Sequence, residues 1–111
     1  MRQPLHTLTV DAITVDHYIG AAGWSRLDVI KCDIEGGDCY ALLGARATLG
    51  RFRPLVAFEY HDGMPAAAEA FTLLDGLGYR LRELRLNGEQ RPFDPAAVHP
   101  QRSLNLLALP G

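Results

Sequence analysis

The most informative stretch of the chain is Leu27-Asp28-Val29-Ile30-Lys31-Cys32-Asp33-Ile34-Glu35-Gly36-Gly37-Asp38. An apolar run there ends in two acids and two glycines, and a helical pattern follows. This order is typical of a buried strand in a parallel sheet. Ligands of open α/β sheets bind at the carboxyl ends of the strands, so Asp33 and Glu35 lie where a functional site is expected.

Length and composition describe one small domain. The chain has 111 residues, of which 48% are hydrophobic and 22% charged, as in ordinary globular proteins. A net charge of −2 gives no basis for electrostatic binding of nucleic acid or of an anionic membrane. No segment is apolar enough to span a bilayer, and the first residues lack the apolar core of a signal peptide.

The two cysteines, Cys32 and Cys39, are the only ones in the sequence. No further cysteine or histidine pair completes a zinc pattern around them. One falls in a predicted buried strand and the other in the helix that follows. We therefore predict reduced core residues of a cytoplasmic protein, with a disulfide as the alternative.

Hydrophobic periodicity divides the rest of the chain into strands and helices. It predicts strands over residues 6–10, 27–34, 54–60, 79–86 and 104–109, and helices over residues 15–22, 38–49 and 64–77. Thr14 is the predicted N-cap of the first helix, Asn87-Gly88 predicts a turn, and residues 92–100 predict a proline-bearing loop. Strands that alternate with helices favour a mostly parallel α/β sheet. Because the loop before the last strand is too short for a helical crossover, at least one late strand should be antiparallel.

Three segments in this order resemble a known family. They are Lys31-Cys32-Asp33-Ile34-Glu35-Gly36-Gly37-Asp38, then Leu42-Leu43-Gly44-Ala45-Arg46, then Arg53-Pro54-Leu55-Val56-Ala57-Phe58-Glu59. Their order and spacing are similar to the C-terminal half of FkbM-type S-adenosylmethionine-dependent methyltransferases. The lead-in Ile13-Thr14-Val15-Asp16-His17-Tyr18 and the late Asn105-Leu106-Leu107-Ala108 are also similar to that family.

The resemblance implies a partial Rossmann-like class I methyltransferase sheet, mostly parallel, with an antiparallel strand near the C-terminus. It also implies S-adenosylmethionine as the cofactor and methyl transfer to an oxygen of a small-molecule or sugar acceptor. The glycine-rich loop that holds the cofactor in such enzymes does not precede Asp33 here. Residues 1–111 are therefore expected to form a single domain that corresponds to the acceptor-side half, whether as a fragment, as the product of a split gene or as a truncated relative.

Asp33 is the first candidate site residue. By resemblance it lies beside the methyl group of the cofactor and near the acceptor, and thus serves both cofactor binding and catalysis. Its carboxylate could orient an acceptor hydroxyl, take its proton as a general base, or help to hold a divalent cation. Alternatively, Asp33 caps the next helix and Glu35 is a solvated turn residue.

A second group of candidates ends the neighbouring strand. Glu59 is predicted to be catalytic together with Asp33 and Glu35, since both strand ends should meet at one edge of the sheet. His61 is predicted to bind the substrate or act as a base near neutral pH, and a surface-loop histidine is the alternative. Asn105 could bind near the acceptor or serve only the strand ladder. No metal site is assigned.

Three hypotheses about function remain open. In the first, the chain is the acceptor-side half of a methyltransferase, inactive by itself, that needs a complementary N-terminal half. In the second, it is a non-catalytic module that pairs with itself or with a complementary chain, because missing strands would leave an apolar sheet edge exposed. The third is a metal-dependent phosphoryl-transfer domain built on Asp33 and Glu35, although the chain lacks a loop that cradles phosphate.

Overall fold

The computed structural model describes residues 5–97 and 103–111. The helices are α1 Val15–Ala22, α2 Asp38–Leu43, α3 Arg46–Phe52 and α4 Ala67–Gly76. The strands are β1 Val29–Lys31, β2 Leu55–Tyr60, β3 Arg80–Leu84, β4 Gln90–Pro92 and β5 Leu104–Leu109. They form one five-stranded sheet in the order β1-β2-β5-β3-β4.

The sheet is mixed, which confirms the α/β class but corrects its details. β1 and β2 are parallel, whereas β5 is antiparallel to both β2 and β3, and β3 is antiparallel to β4. The predicted antiparallel arrangement near the C-terminus is confirmed. The expectation of a mostly parallel sheet is wrong, because the last strand, β5, lies between β2 and β3 and pairs with each of them in the antiparallel direction.

The helices and one face of the sheet share a single hydrophobic core. Strand alternation brings Val56, Phe58 and Tyr60 of β2 to this face, and β5 contributes Leu104, Leu106 and Ala108. From the helical layer come Cys39, Leu42, Leu49, Ala70 and Leu74, all without solvent exposure. Ala57, Glu59, Asn105 and Leu107 alternate with these residues and therefore lie on the opposite face of the sheet.

Helix α1 follows its sequence prediction closely. Thr14 is its N-cap and accepts a hydrogen bond at Oγ1 from the backbone amide of His17 at 3.0 Å. The helix ends at Gly23, whose φ of +67° is a conformation that glycine adopts without strain. The local capping residues therefore suffice to define this element.

The predicted strands before β2 are partly wrong. Residues 5–14 contain no strand, and Leu8 is 86% exposed, so the alternating pattern of residues 6–10 has no sheet beside it. The predicted buried strand of residues 27–34 is reduced to Val29–Lys31. Val29 is 56% exposed, because β2 is the one neighbour of β1 in the part of the chain that the structure describes.

Tertiary contacts change three further predicted elements. The helix predicted over residues 38–49 is two helices, α2 and α3, and Gly50 lies inside the second rather than ending it. Helix α4 begins at Ala67, after Ala66 with a φ of +63°, rather than at residue 64. β4, which was not predicted, precedes the predicted loop and shares only Pro92 with it. Residues 98–100 of that loop are outside the described residues.

Trp24 and the two cysteines differ in exposure. Trp24 is 43% exposed and contacts Tyr18 edge to face. Cys32 and Cys39 are free thiols, as predicted. Burial, together with the nearby charge of Asp38, raises the pKa of each thiol to about 11.

No helix of the described ranges 5–97 and 103–111 is long and apolar enough to cross a membrane.

Candidate functional site

A cavity of about 290 Å³ lies where β1 and β2 end, on the face of the sheet opposite the helices. Three of the predicted site residues, Asp33, Glu59 and Asn105, line it. Lys31 also lines the cavity, and Ala57, Leu84 and Leu107 supply apolar surface. The site thus combines positively and negatively charged side chains with an apolar surface that could contact the carbon skeleton of a ligand.

Strand register explains why these residues meet. Glu59 lies opposite Asn105 of β5, and Asn105 in turn lies opposite Leu84 of β3. One step along the same face, Ala57 lies between Lys31 of β1 and Leu107 of β5. Side chains directly opposite each other are about 5 Å apart at Cβ, which is within reach of one small ligand.

Asp33 lies in the segment that leaves the sheet after β1. The amide of Cys32 donates to the carbonyl of Ala57 at 2.8 Å, and the chain then turns toward α2. Asp33 is exposed and lines the cavity. Gly37 occupies the N-cap position of α2, so the alternative in which Asp33 caps that helix has no geometric support.

Glu35 does not join Asp33 and Glu59, the other two predicted catalytic carboxylates, in the lining of the cavity. It is exposed. Its φ of +48° is left-handed, a conformation that costs a non-glycine residue about 1 kcal/mol or more and is found mainly where neighbouring structure requires it. Gly36 follows with a φ of +101°, so the turn has two consecutive residues of positive φ. The structure therefore gives Glu35 a place in the turn that carries Asp33.

His61 also lies outside the lining of the cavity. Its Nδ1 is 3.1 Å from the carbonyl oxygen of Asp62, a contact in which the ring nitrogen donates. The Asp62 carboxylate in turn accepts a hydrogen bond from the Tyr60 hydroxyl at 3.1 Å. Burial and this hydrogen bond raise the pKa of Tyr60. Binding of substrate by His61 thus stays a prediction that no contact in the structure supports.

Two further residues near the site, Lys31 and Asp38, were not among the predicted site residues. Lys31 lies two positions before Asp33, and this spacing on a strand was the available signal that it shares the same face. Asp38 is completely buried and accepts a hydrogen bond from the amide of Glu59. Nothing in the sequence distinguished that contact from the ordinary preference for an acid in the first turn of a helix.

Within residues 5–97 and 103–111, no group of three or more histidine, cysteine, aspartate or glutamate side chains is arranged to hold a metal ion. The phosphoryl-transfer hypothesis therefore has no ligand set in the described part of the chain.

Comparison with known families places the chain in a methyltransferase family. The sequence profile of the Methyltransferase FkbM domain matches residues 2–81, most of the 111 residues. The chain belongs to this family, which confirms the resemblance seen in its motifs. The match includes Asp33 and Glu59 and ends before Asn105. No curated protein and no solved structure matches the chain significantly.

Proposed function

We propose that this chain forms the acceptor-side half of an S-adenosylmethionine-dependent methyltransferase that methylates an oxygen of a small-molecule or sugar acceptor. Membership of the FkbM methyltransferase family supports the reaction class. The observation that carries the assignment to a site is the shared cavity of Asp33, Glu59 and Asn105 at the strand ends.

The side chains of the cavity have complementary roles in this proposal. Asp33 orients an acceptor hydroxyl and takes its proton as a general base. Glu59 and Asn105 hold further polar groups of the acceptor, and Ala57 and Leu107 contact its carbon skeleton. When bound, S-adenosylmethionine supplies the methyl group on a positively charged sulfur, which is already a strong electrophile. Positioning by the protein is then the main catalytic requirement.

In this proposal the described residues supply only the part of the cofactor site next to the acceptor. Asp33 is at the right edge of the sheet for that part, as the resemblance implies. Residues 5–28 contain helix α1 and no strand, so neither a glycine-rich loop nor a ribose-binding acid has a strand to follow there. We therefore propose that the remaining contacts come from a complementary N-terminal half, on the same polypeptide or another one.

The position of β1 supports a complementary half. In the described sheet β1 has β2 on one side and no strand on the other, and Val29 is more than half exposed. β1, β2 and β3 run in the same direction, with β5 between β2 and β3 in the opposite one. This arrangement is compatible with the end of a larger Rossmann-like sheet that continues beyond β1.

The second candidate is a non-catalytic module that pairs with another copy or with a complementary chain. Its specific support is a run of exposed apolar side chains before α1, namely Leu5, Leu8, Val10 and Ile13. Such residues and an unpaired strand edge are suited to β-sheet association. The two free thiols, buried Cys39 and half-buried Cys32, support a cytoplasmic location for either candidate.

Calorimetry with S-adenosylmethionine separates the two candidates. The 111-residue chain alone should bind the cofactor weakly or not at all under both. Addition of the polypeptide encoded immediately upstream, or its fusion to the chain, should produce saturable binding with a stoichiometry of one if the chain is half of an enzyme. Association of the two polypeptides without any cofactor binding would favour the non-catalytic module.

A further inference from the structure

We propose that Asp38 is a positioning residue that holds the ends of β1 and β2, and with them Asp33 and Glu59, in one fixed arrangement. The catalytic roles of Asp33 and Glu59 rest on the proposed function. The hydrogen bonds of Asp38 can be tested independently of that function.

The carboxylate of Asp38 joins two segments that are far apart in the sequence. Asp38 is the first residue of α2 and has no solvent exposure. Its Oδ2 accepts a hydrogen bond from the backbone amide of Glu59 at 3.0 Å. Its Oδ1 lies 3.3 Å from the backbone amide of Ile34, which donates to it. A buried carboxylate is unfavourable unless such donors surround it, so both contacts are needed for its burial.

The contact with Glu59 continues the hydrogen-bond ladder after β1 has ended. The amide of Cys32 donates to the carbonyl of Ala57, which faces the β1 side of β2. Residues two apart on a strand present their backbone groups to the same side, so the amide of Glu59 also faces β1. At that level the chain has already turned away from the sheet. The Asp38 carboxylate takes the place of the strand carbonyl that would otherwise accept this bond.

The contact with Ile34 fixes the turn that carries Asp33. Ile34 directly follows Asp33, and the turn continues through Gly36 and Gly37, which permit many backbone conformations. A single carboxylate therefore anchors the residue after one candidate side chain and the backbone of the other. Loss of either bond should allow the two strand ends to move relative to each other.

Helix stabilisation alone predicts a different pattern. An acid in the first turn acts through the helix dipole, which is worth a few tenths of a kcal/mol to about 1 kcal/mol. Its loss would weaken α2 and the whole fold together, and would have no particular effect on the amide of Glu59. The two roles can therefore be separated by measurements at individual residues.

Amide hydrogen exchange followed by nuclear magnetic resonance provides the test. Asp38→Asn keeps the size of the side chain but replaces one acceptor oxygen by a donor. Because the asparagine oxygen can still accept one of the two bonds, we expect the amide that loses its acceptor, Ile34 or Glu59, to exchange about tenfold faster relative to Leu106 in the sheet core, the effect of one lost hydrogen bond. Asp16→Asn is the matched control, since Asp16 accepts the amides of Ala47 and Thr48 and should affect that region only. Equal acceleration at all three sites would overturn the proposal.

A measurement on the unsubstituted chain covers the case in which Asp38→Asn does not fold. Scalar coupling across the hydrogen bond should be detectable between the amide nitrogen of Glu59 and the carboxyl carbon of Asp38. Its absence from a spectrum that shows the couplings between β2 and β5 would overturn the proposal.

Once cofactor binding has been restored, kinetic measurements test whether the positioning of Asp33 and Glu59 by Asp38 affects catalysis. Asp38→Asn should lower kcat about tenfold and change the KM for S-adenosylmethionine about twofold at most, whereas Asp16→Asn should leave both unchanged. A normal kcat would overturn the positioning role. If the unsubstituted protein shows no methyl transfer, the proposed function fails, and the exchange result still decides whether Asp38 holds the two strand ends.

Discussion

Asp33 and Glu59 lie at the ends of two adjacent parallel strands and line the same cavity. Glu59 is also directly opposite Asn105 on the strand that completes this edge. The arrangement follows from the crossover between β1 and β2, because parallel strands joined through helices end on the same side of a sheet. Three chemically useful side chains from distant parts of the chain therefore converge on one small volume.

Tyr79 provides a test of the buried polar contacts. Its hydroxyl donates to the carbonyl of Pro54 at 2.6 Å, and the side chain is 5% exposed. Tyr79→Phe removes the hydroxyl, and the carbonyl of Pro54 then lacks this hydrogen bond. The free energy of unfolding should therefore fall by about 1–2 kcal/mol. Urea denaturation measures the change, with Tyr40→Phe as the control because Tyr40 is 61% exposed. Equal loss in the two variants would contradict the role of this hydrogen bond.

Asp16 should stabilise the contact between α1 and α3. Its carboxylate accepts hydrogen bonds from the amides of Ala47 and Thr48 at 2.9 and 2.8 Å, and from the Thr48 hydroxyl at 2.6 Å. Asp16→Asn should therefore cost about 1–2 kcal/mol, the range of a lost helix cap. Asp28→Asn, at an exposed residue bound to exposed Arg26, should leave the unfolding free energy nearly unchanged. A neutral Asp16→Asn would show that α3 does not need this cap.

The acid stability of the protein should depend on the same carboxylate. Burial alone would raise the pKa of Asp16, but the hydrogen bonds from Thr48 and Ala47 outweigh burial and keep it below the ordinary 3.8. A pKa that is lower in the folded state stabilises the fold above the unfolded value, and this stability is lost as the pH falls through the folded pKa. Thermal melting from about pH 6 to about pH 2 should thus show a smaller acid loss in Asp16→Asn than in the parent. Parallel curves for the two proteins would contradict this prediction.

The two thiols should be slow to react in the folded protein. Their pKa values are raised from 9.0 to about 11, mainly by burial, which lowers the thiolate fraction near neutral pH about 100-fold. Alkylation by iodoacetamide at about pH 8, followed by mass spectrometry, should be slow for Cys39 and Cys32 and fast after unfolding in urea. Rapid alkylation of folded Cys39 would contradict its burial.

Local sequence signals predicted the elements whose determinants are local. Thr14 and Gly23 define α1. The pattern of residues 54–60 predicted β2, whose side chains face the hydrophobic core on one side and the cavity on the other. That Asp33, Glu59 and Asn105 line one cavity could be predicted because strand ends and spacing are visible in the sequence. Their roles in binding and catalysis stay predictions.

Long-range contacts account for what the sequence could not predict. The helix predicted over residues 38–49 divides where Asp16, about thirty residues earlier, caps the second part. The apolar pattern of residues 27–34 is typical of a strand that has a neighbour on each side. In the described chain β1 has one neighbouring strand, β2, and it is shorter than predicted. The exclusion of Glu35 and His61 from the cavity depends on backbone turns, which residue spacing does not encode.

The central claim is that Asp33 takes part directly in methyl transfer from this cavity. The most direct measurement is the rate of tritium transfer from methyl-labelled S-adenosylmethionine to small-molecule acceptors in a cell extract, with cofactor binding restored by the upstream polypeptide. Asp33→Asn should lower this rate about 100-fold, as expected for loss of a general base. Asp28→Asn makes the same substitution at the opposite end of β1 and should leave the rate unchanged. Transfer by Asp33→Asn at the parental rate would contradict the claim.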